Sequence, residues 1–297
     1  MSAPATVPLH RLLADARRRL IDAGLASDEA AVDVDVFVRT LLGWNEAQLI
    51  TERSEPVPDA LEPRFSEFLA RRARREPCAY IVGVREFWGL DFRVTRDVLI
   101  PRPETEFVVE EALRLLGDAP ATNDRASGSL RIADIGTGSG CIAVALAREI
   151  PGCRVVATDV SPEAVGIARE NAIRHGVGDR VAAVAASYLD GVDGTFDLIA
   201  ANPPYVRDGD KPALAADVRH EPEVALFGGS SGLRNIAGVL DVAVERLSPA
   251  GWLIMEFGFG QEDDVRALVG ARPALRVTRV REDLQGIART AIVQRQA

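Results

Sequence analysis

The chain has 297 residues, a formal net charge of −9, 47% hydrophobic and 27% charged residues, values that suit a soluble protein with one large and one small domain. It holds no apolar run long enough to span a bilayer, and residues 1–13 lack the charged start and apolar core of a signal peptide. Scattered Cys78, Cys141 and Cys153 and dispersed histidines build neither a disulfide framework nor a zinc site, and the acidic balance argues against tight binding to phosphate backbones. A metal-free monomer in a reducing cytoplasm is therefore expected, with no membrane and no direct nucleic-acid contact.

Residues 8 to about 75 read as helical throughout. Leu9, Leu12, Leu13 and Ala16 fall at helical spacing, as do Val32, Val36, Phe37, Thr40 and Leu41. Ser27 ahead of Asp28 and Glu29 is an N-cap signal, and Gly43 a stop. A third helix is predicted over 63–75, where Pro77 forbids continuation. The basic cluster Arg71, Arg72, Arg74 and Arg75 at its end reads as a solvated face favoured by the helix dipole; a contact with an acidic partner is the other reading. Tyr80, Ile81 and Val82, then Phe92, Arg93 and Val94, look like the two strands of a hairpin punctuated by Gly83 and Gly89. A helix returns over 103–116, and 117–129 has the composition of a mobile loop. These changes divide the chain into a helical domain at 1–77, a hairpin linker at 78–102 and a large domain at 103–297.

From residue 130 strands and helices alternate. Strands are predicted at 131–135, 154–158, 181–185, 196–201 and 252–257, with helices at 140–149, 162–175, 233–247 and 261–269. Near-continuously apolar strands separated by helices indicate a parallel sheet covered on both faces. Two closing strands, 276–280 and 288–293, have no helix between them and are expected to form an antiparallel edge. The class is α/β: a Rossmann-like, seven-stranded, mostly parallel sheet behind a small N-terminal helical domain.

The first strand of this region runs into Asp134-Ile-Gly136-Thr137-Gly138-Ser139-Gly140 and then a helix. Alternate glycines let the backbone turn tightly and approach a ligand, and ligands in open α/β sheets bind at the carboxyl ends of the strands. The G-x-G-x-G spacing differs from the dinucleotide fingerprint and lacks the ending of a nucleoside-triphosphate loop, so it points to a methyl donor. Asp159 closes the second strand, where an acid can take two ribose hydroxyls; Ser161 already suits the N-cap of the following helix. Tyr188 follows the third strand, placed either to stack on an adenine or to pack in the core, and neighbouring Ser187 is a weaker candidate for the adenine edge.

Asn202-Pro203-Pro204-Tyr205 ends the fourth strand. Two prolines remove backbone donors and stiffen the segment, which suits a site that must orient a poor nucleophile. An amide or aromatic amine nitrogen has its lone pair delocalised into a π system. If the Asn202 side-chain oxygen and the Pro203 carbonyl each accept one of its N–H bonds, the lone pair turns toward the methyl group. Tyr205 can pack its ring on the planar target near the sulfonium charge. Arg102, Glu104 and Glu106 either brace the donor pocket or cap the helix starting at Pro103.

Taken together the chain resembles the protein-(glutamine-N5) methyltransferase family, in its release-factor-modifying branch. The likeness spans nearly the whole chain. It rests on Arg75-Glu-Pro-Cys-Ala-Tyr-Ile-Val-Gly83, Glu86-Phe-Trp-Gly-Leu90, Leu99-Ile-Pro-Arg-Pro-Glu-Thr-Glu106, the glycine turn, the Asn-Pro-Pro-Tyr tetrapeptide, Arg219-His-Glu-Pro-Glu-Val-Ala-Leu226 and Asp283-Leu-Gln-Gly-Ile-Ala-Arg289. The resemblance implies a class I S-adenosylmethionine-dependent methyltransferase fold, with the glutamine of the Gly-Gly-Gln loop of peptide-chain release factors as substrate. It implies that Gly136, Thr137, Gly138, Ser139, Gly140, Asp159, Tyr188 and Asn202 contact S-adenosylmethionine. Asn202, Pro203, Pro204 and Tyr205 would hold the glutamine, with Asn202, Pro203 and Tyr205 catalytic, and the helical domain would help to dock the release factor. Ser187 and Ser231 stand where family members often carry Asp. Three other readings compete: a glutamine methyltransferase of a ribosomal protein, an N6-adenine methyltransferase of nucleic acid, and a silent donor-binding scaffold. The adenine enzyme would need a basic groove, and the scaffold would have no use for the tetrapeptide's acceptors.

Overall fold

In the computed structural model, which describes residues 7–116 and 129–296, the chain divides into two units: Met1–Gly83 with Ala216–His220, and Val84–Ala215 with Glu221–Ala297. The loop expected at 117–129 lies, apart from Ser129, outside the described residues. No helix among the described residues is long and apolar enough to cross a membrane.

The helical unit comprises α1 (Leu9–Asp22), α2 (Ser27–Leu42), α3 (Glu46–Thr51), α4 (Arg64–Ala73) and α5 (Cys78–Val82). Leu9, Leu13, Ala16 and Leu20 form the buried stripe of α1. They meet Val34, Phe37 and Val38 of α2 and Phe65, Phe68 and Leu69 of α4, and Phe37 and Phe68 make an edge-to-face pair 5.4 Å apart. The face expected for α2 is turned: Val32 is 62% exposed, whereas Asp33 is buried. Ala26, not Ser27, caps this helix and makes no side-chain cap bond; Gly43 ends it in the left-handed region, as expected. Asn45 and Gln48 form a capping box on α3.

Arg72 explains the turned face of α2 and corrects the reading of the basic cluster as a solvated surface. Only 2% exposed, its guanidinium binds Asp33 (2.5 Å), Asp217 (2.8 Å) and Glu29. A guanidinium out of water must be paired on all sides, and its planar fork serves several carboxylates at once. Arg75 binds Asp217 as well (2.7 Å), and Arg71 makes a two-pronged contact with buried Glu76. Of the cluster only Arg74 is exposed.

Tyr80, Ile81 and Val82 are not a strand. Pro77 starts a single helical turn, α5, which buries Ala79, Tyr80 and Ile81 and stops at Gly83 in the left-handed region. The hairpin lies immediately after it. Strands β1 (Val84–Phe87) and β2 (Leu90–Arg93) turn through Trp88 and Gly89, both at positive φ, the geometry that matches strand twist in a two-residue turn.

In the larger unit α6 (Glu106–Leu116) precedes the main sheet of β3 (Leu130–Ile135), β4 (Cys153–Asp159), β5 (Val181–Ala185), β6 (Phe196–Ala201), β7 (Leu247–Glu256), β8 (Leu275–Glu282) and β9 (Ala288–Arg295). The order is β5-β4-β3-β6-β7-β9-β8; the first five are parallel, and β9 runs antiparallel between β7 and β8. Between the strands lie α7 (Cys141–Glu149), α8 (Pro162–Arg174), the short α9 (Glu223–Leu226), α10 (Arg234–Arg246) and α11 (Glu262–Gly270). Residues of α6, α7 and the hairpin fill one face of the sheet, and those of α10 and α11 the other. The order reverses at β3, so the carboxyl ends of β3, β4 and β6 border one crevice.

Replacing Arg72 by Ala leaves Asp33 buried and unpaired, a loss of about 3–5 kcal/mol, whereas Arg74→Ala on the surface changes stability by about 0.5 kcal/mol or less. Calorimetric unfolding of the two variants should separate them; equal effects would contradict the assignment of Arg72 to the core.

Candidate functional site

At the carboxyl ends of β3, β4 and β6 the sequence forces abrupt departures from the sheet. Gly136 and Gly138 take positive φ values of 73° and 53°. The N–H groups of Gly136 and Thr137 both donate to the Thr158 carbonyl (2.8 and 2.9 Å), clamping the turn to the end of β4. Gly140, also at positive φ, opens α7; a Cβ there would sit 3.0 Å from the Ala168 backbone, so its bareness serves helix packing.

Two carboxylates shape the turn from beneath. Asp134 is fully buried and accepts from the Thr137 hydroxyl (2.6 Å) and the Ala143 N–H (3.2 Å). Burial pushes its carboxyl up to about 7, against the pull of those two donors. Asp159 accepts from the N–H groups of Gly138 (2.9 Å) and Ser161 (3.0 Å); burial raises its carboxyl too, while the backbone donors oppose the rise. Ser161 caps α8 through the Ala164 N–H, which leaves Asp159 out of that role. Asn171, fully buried on α8, donates to the carbonyls of Ser139 (2.8 Å) and Arg93 (3.0 Å) and accepts from the Arg93 N–H (2.8 Å), tying hairpin and glycine turn to one side chain.

These elements enclose a cavity of about 550 Å³. Gly136, Thr137, Gly138 and Ser139 line it, together with Asp159, Ser187 and Tyr188 and, opposite in the chain, Asn202, Pro203 and Pro204. Gly140 and Tyr205 are not on its wall. Tyr188 is at positive φ, and its ring lies where a Cβ on Gly238 of α10 would stand, so that glycine makes room for it. Arg102 also lines the cavity and binds Glu221 (2.5 Å), which accepts from the Ile100 N–H too (3.2 Å). Glu106 serves the hairpin instead, accepting from the Trp88 N–H (2.9 Å).

The Asn-Pro-Pro-Tyr segment is held from both sides. Asn235 of α10 donates to the Pro204 carbonyl (3.4 Å), and Gln261 donates to that of Tyr205 (3.1 Å). Val206 pairs with Leu226 and Gly228 through the backbone. Gly228 and Gly232 press so closely on the Pro204 and Tyr205 carbonyls that a Cβ on either would collide with backbone. Ser231 between them accepts from the Leu233 N–H (3.3 Å).

Two side chains outside the predicted set, those of Thr105 and Glu256, complete the arrangement. The Asn202 amide donates to the Thr105 hydroxyl (3.0 Å), Thr105 donates to Glu256 (2.7 Å), and the Tyr205 hydroxyl donates to the other oxygen of Glu256 (3.1 Å). Glu256 is 2% exposed, and burial raises its carboxyl while the Thr105 and Tyr205 hydroxyls pull it down. Burial and the neighbouring carboxylate push the Tyr205 phenol far above its usual range, which keeps it a neutral donor. Among the described residues none donates to the Asn202 side-chain oxygen or to the Pro203 carbonyl, so both acceptors are free. Thr105 sits inside the Ile-Pro-Arg-Pro-Glu-Thr-Glu stretch, and Glu256 is an acid closing the apolar run 252–255. Those were the available signals.

Comparison with known proteins accords with this geometry. Residues 11–83 match a family described as PrmC N-terminal domain, and residues 115–226 one described as Methyltransferase small domain. The chain is 42% identical to Release factor glutamine methyltransferase of Bradyrhizobium diazoefficiens over 93% of its length and 92% of the relative's. With the protein of the same name from Geobacter sulfurreducens it shares 40% identity over 88% of each chain. Among solved structures it is similar to a methyltransferase from Pyrococcus furiosus (20% identity, TM-score 0.52, 78% of this chain and 99% of that one). It is also similar to the hMettl16 catalytic domain in complex with MAT2A 3′UTR hairpin 6 (18% identity, TM-score 0.56, 76% and 81%). At such identities the structural likeness is one of fold. By descent and architecture the chain belongs to the release factor glutamine methyltransferase family and is an S-adenosylmethionine-dependent methyltransferase.

Proposed function

We propose that this chain methylates the side-chain amide nitrogen of the glutamine in the Gly-Gly-Gln loop of peptide-chain release factors, acting in the cytoplasm to tune translation termination. The observation that carries the reading is the pair of free acceptors, Asn202 Oδ1 and the Pro203 carbonyl, on a stiff segment beside a cavity floored by a glycine turn. The residues present fit the donor. The cavity volume falls in the ordinary range for such ligands, and each Asp159 oxygen keeps a lone pair beyond its backbone donor for a ribose hydroxyl. Gly136, Thr137, Gly138 and Ser139 line the cavity where the donor would lie, and Tyr188 stands on the same wall as a ring for its base to stack on. S-adenosylmethionine, when bound, supplies an electrophilic methyl group on a sulfonium.

The substrate nitrogen is a weak nucleophile because its lone pair is shared with the carbonyl. Asn202 Oδ1 and the Pro203 carbonyl each accept one N–H and so fix the plane of the amide. Those two hydrogen bonds strengthen as the nitrogen gains positive character, which lowers the barrier specifically at the transition state. No strong base is needed, since an alkylated amide nitrogen is acidic. Tyr205, off the cavity wall, holds the segment through Glu256 rather than touching the donor. In this reading the helical unit, matched over residues 11–83 to the PrmC N-terminal domain family, helps to dock the release factor.

Mass spectrometry of a bacterial release factor incubated with the protein and S-adenosylmethionine should show one added methyl group on the Gly-Gly-Gln peptide, and none when that glutamine is alanine. Methylation of a ribosomal protein or an adenine oligonucleotide in its place would overturn the substrate assignment. Asn202→Ala should lower kcat by about 10²–10³-fold with donor affinity retained by titration calorimetry; wild-type turnover would remove the mechanism. Asp159→Ala should weaken donor binding by about 10–100-fold, the loss expected for hydrogen bonds to a charged group, and an unchanged Kd would exclude the ribose role.

A further inference from the structure

The hydroxyl of Thr105 has one proton and two lone pairs, and two groups face it: Glu256 Oε2 at 2.7 Å and the Asn202 amide at 3.0 Å. An ionised carboxylate only accepts. With Glu256 ionised, the Thr105 proton is committed to Oε2, and Thr105 offers nothing but a lone pair to Asn202. Asn202 must then turn its NH₂ toward Thr105, which leaves its carbonyl oxygen for the cavity. The Tyr205 proton goes to Oε1 at 3.1 Å, so one carboxylate engages both ends of the tetrapeptide.

We propose that Glu256 is a positioning residue whose ionised carboxylate, acting through Thr105, sets the orientation of the Asn202 amide and thereby makes Asn202 an acceptor for the substrate N–H. The inference rests on the reading of Asn202 as that acceptor and names what enforces it. A protonated Glu256 reverses the relay: it donates to Thr105, Thr105 donates to the Asn202 oxygen, and the amide flips. Its NH₂ would then face the substrate NH₂, two donors opposed, and the amide plane would lose its hold.

Among the described residues, the titratable groups that bear on Glu256 are the neutral Tyr205 phenol, the Glu104 carboxylate and the Arg289 guanidinium. Tyr205 follows β6, Glu104 precedes α6 and disfavours ionisation, and Arg289 on β9 favours it. Burial raises the carboxyl and places the acid limb of turnover above the ordinary carboxylate range. The sign is fixed by the relay: turnover is full above the Glu256 transition and falls as pH drops through it.

The test compares kcat, KM and pH profiles for a Gly-Gly-Gln release factor in wild type, T105V, T105S, E256Q and N202A. T105V should lower kcat by about 10²-fold, the cost of a misplaced reacting group, with donor Kd unchanged, and T105S should recover most of the loss. E256Q should lower kcat and abolish the acid limb. In the N202A background T105V should add little, because both changes remove the same contact. Should T105V or E256Q fail to fold, the ¹³C shift of the Glu256 carboxyl in the full wild-type chain, assigned by sequential resonances, must titrate with the acid limb of kcat; midpoints more than about one pH unit apart overturn the proposal. Wild-type kcat in folded T105V and E256Q overturns it as well. If N202A itself turns over normally, the acceptor reading has failed; if N202A is crippled while T105V is not, only the relay through Glu256 has.

Discussion

The reversal of strand order at β3 is the constraint from which the site follows. With β4 and β5 on one side and β6 and β7 on the other, the helices after β3 and β6 leave toward opposite faces of the sheet. Their departure leaves the carboxyl ends of neighbouring strands uncovered, and whatever those strands end with faces one crevice. Here they end with the glycine turn, Asp159 and the Asn-Pro-Pro-Tyr segment. These three segments therefore meet at one cavity by topology before any side chain is chosen.

Topology brings these loops together without making them stiff; buried polar groups do that. Asp134 holds the glycine turn from below, Asn171 ties it to the hairpin, and Glu256 engages Thr105 and Tyr205 at once. Each is out of water, where an unpaired polar group costs about 1–3 kcal/mol or more, so each selects the loop geometry that satisfies it. Arg72 works in the same way in the helical unit, where it gathers Asp33, Glu29 and Asp217. Gly228 and Gly232 add a steric constraint, allowing backbone to lie directly on the tetrapeptide.

The difference between expected and observed elements has one physical pattern. Apolar strands and amphipathic helices of the larger unit appear within a few residues of their predicted positions, because their periodicity is set by burial along the element itself. Tyr80, Ile81 and Val82 carry the β-branched and aromatic character of a strand, yet they form a helical turn because Pro77 starts it and Gly83 stops it with the left-handed residue. Val32 carries the right spacing for a core face but is displaced from it by Asp33, whose burial depends on an arginine 39 residues away in sequence. Local pattern fails where a long-range charge pair decides which side faces inward.

What the amino-acid sequence determined by itself is the class of fold, the glycine turn, Asp159 at the end of its strand and the stiff tetrapeptide, since each is written in residues next to one another and acts through backbone conformation. What only the tertiary structure decided is how those parts are held. Thr105 and Glu256 are 151 residues apart, Asn202 and Thr105 are 97 apart, and Asn171 reaches the hairpin across 78. No local rule links such residues. Once the chain has folded, burial removes water from their polar atoms, and the partners that the fold happens to place within hydrogen-bond reach become the ones that define the site.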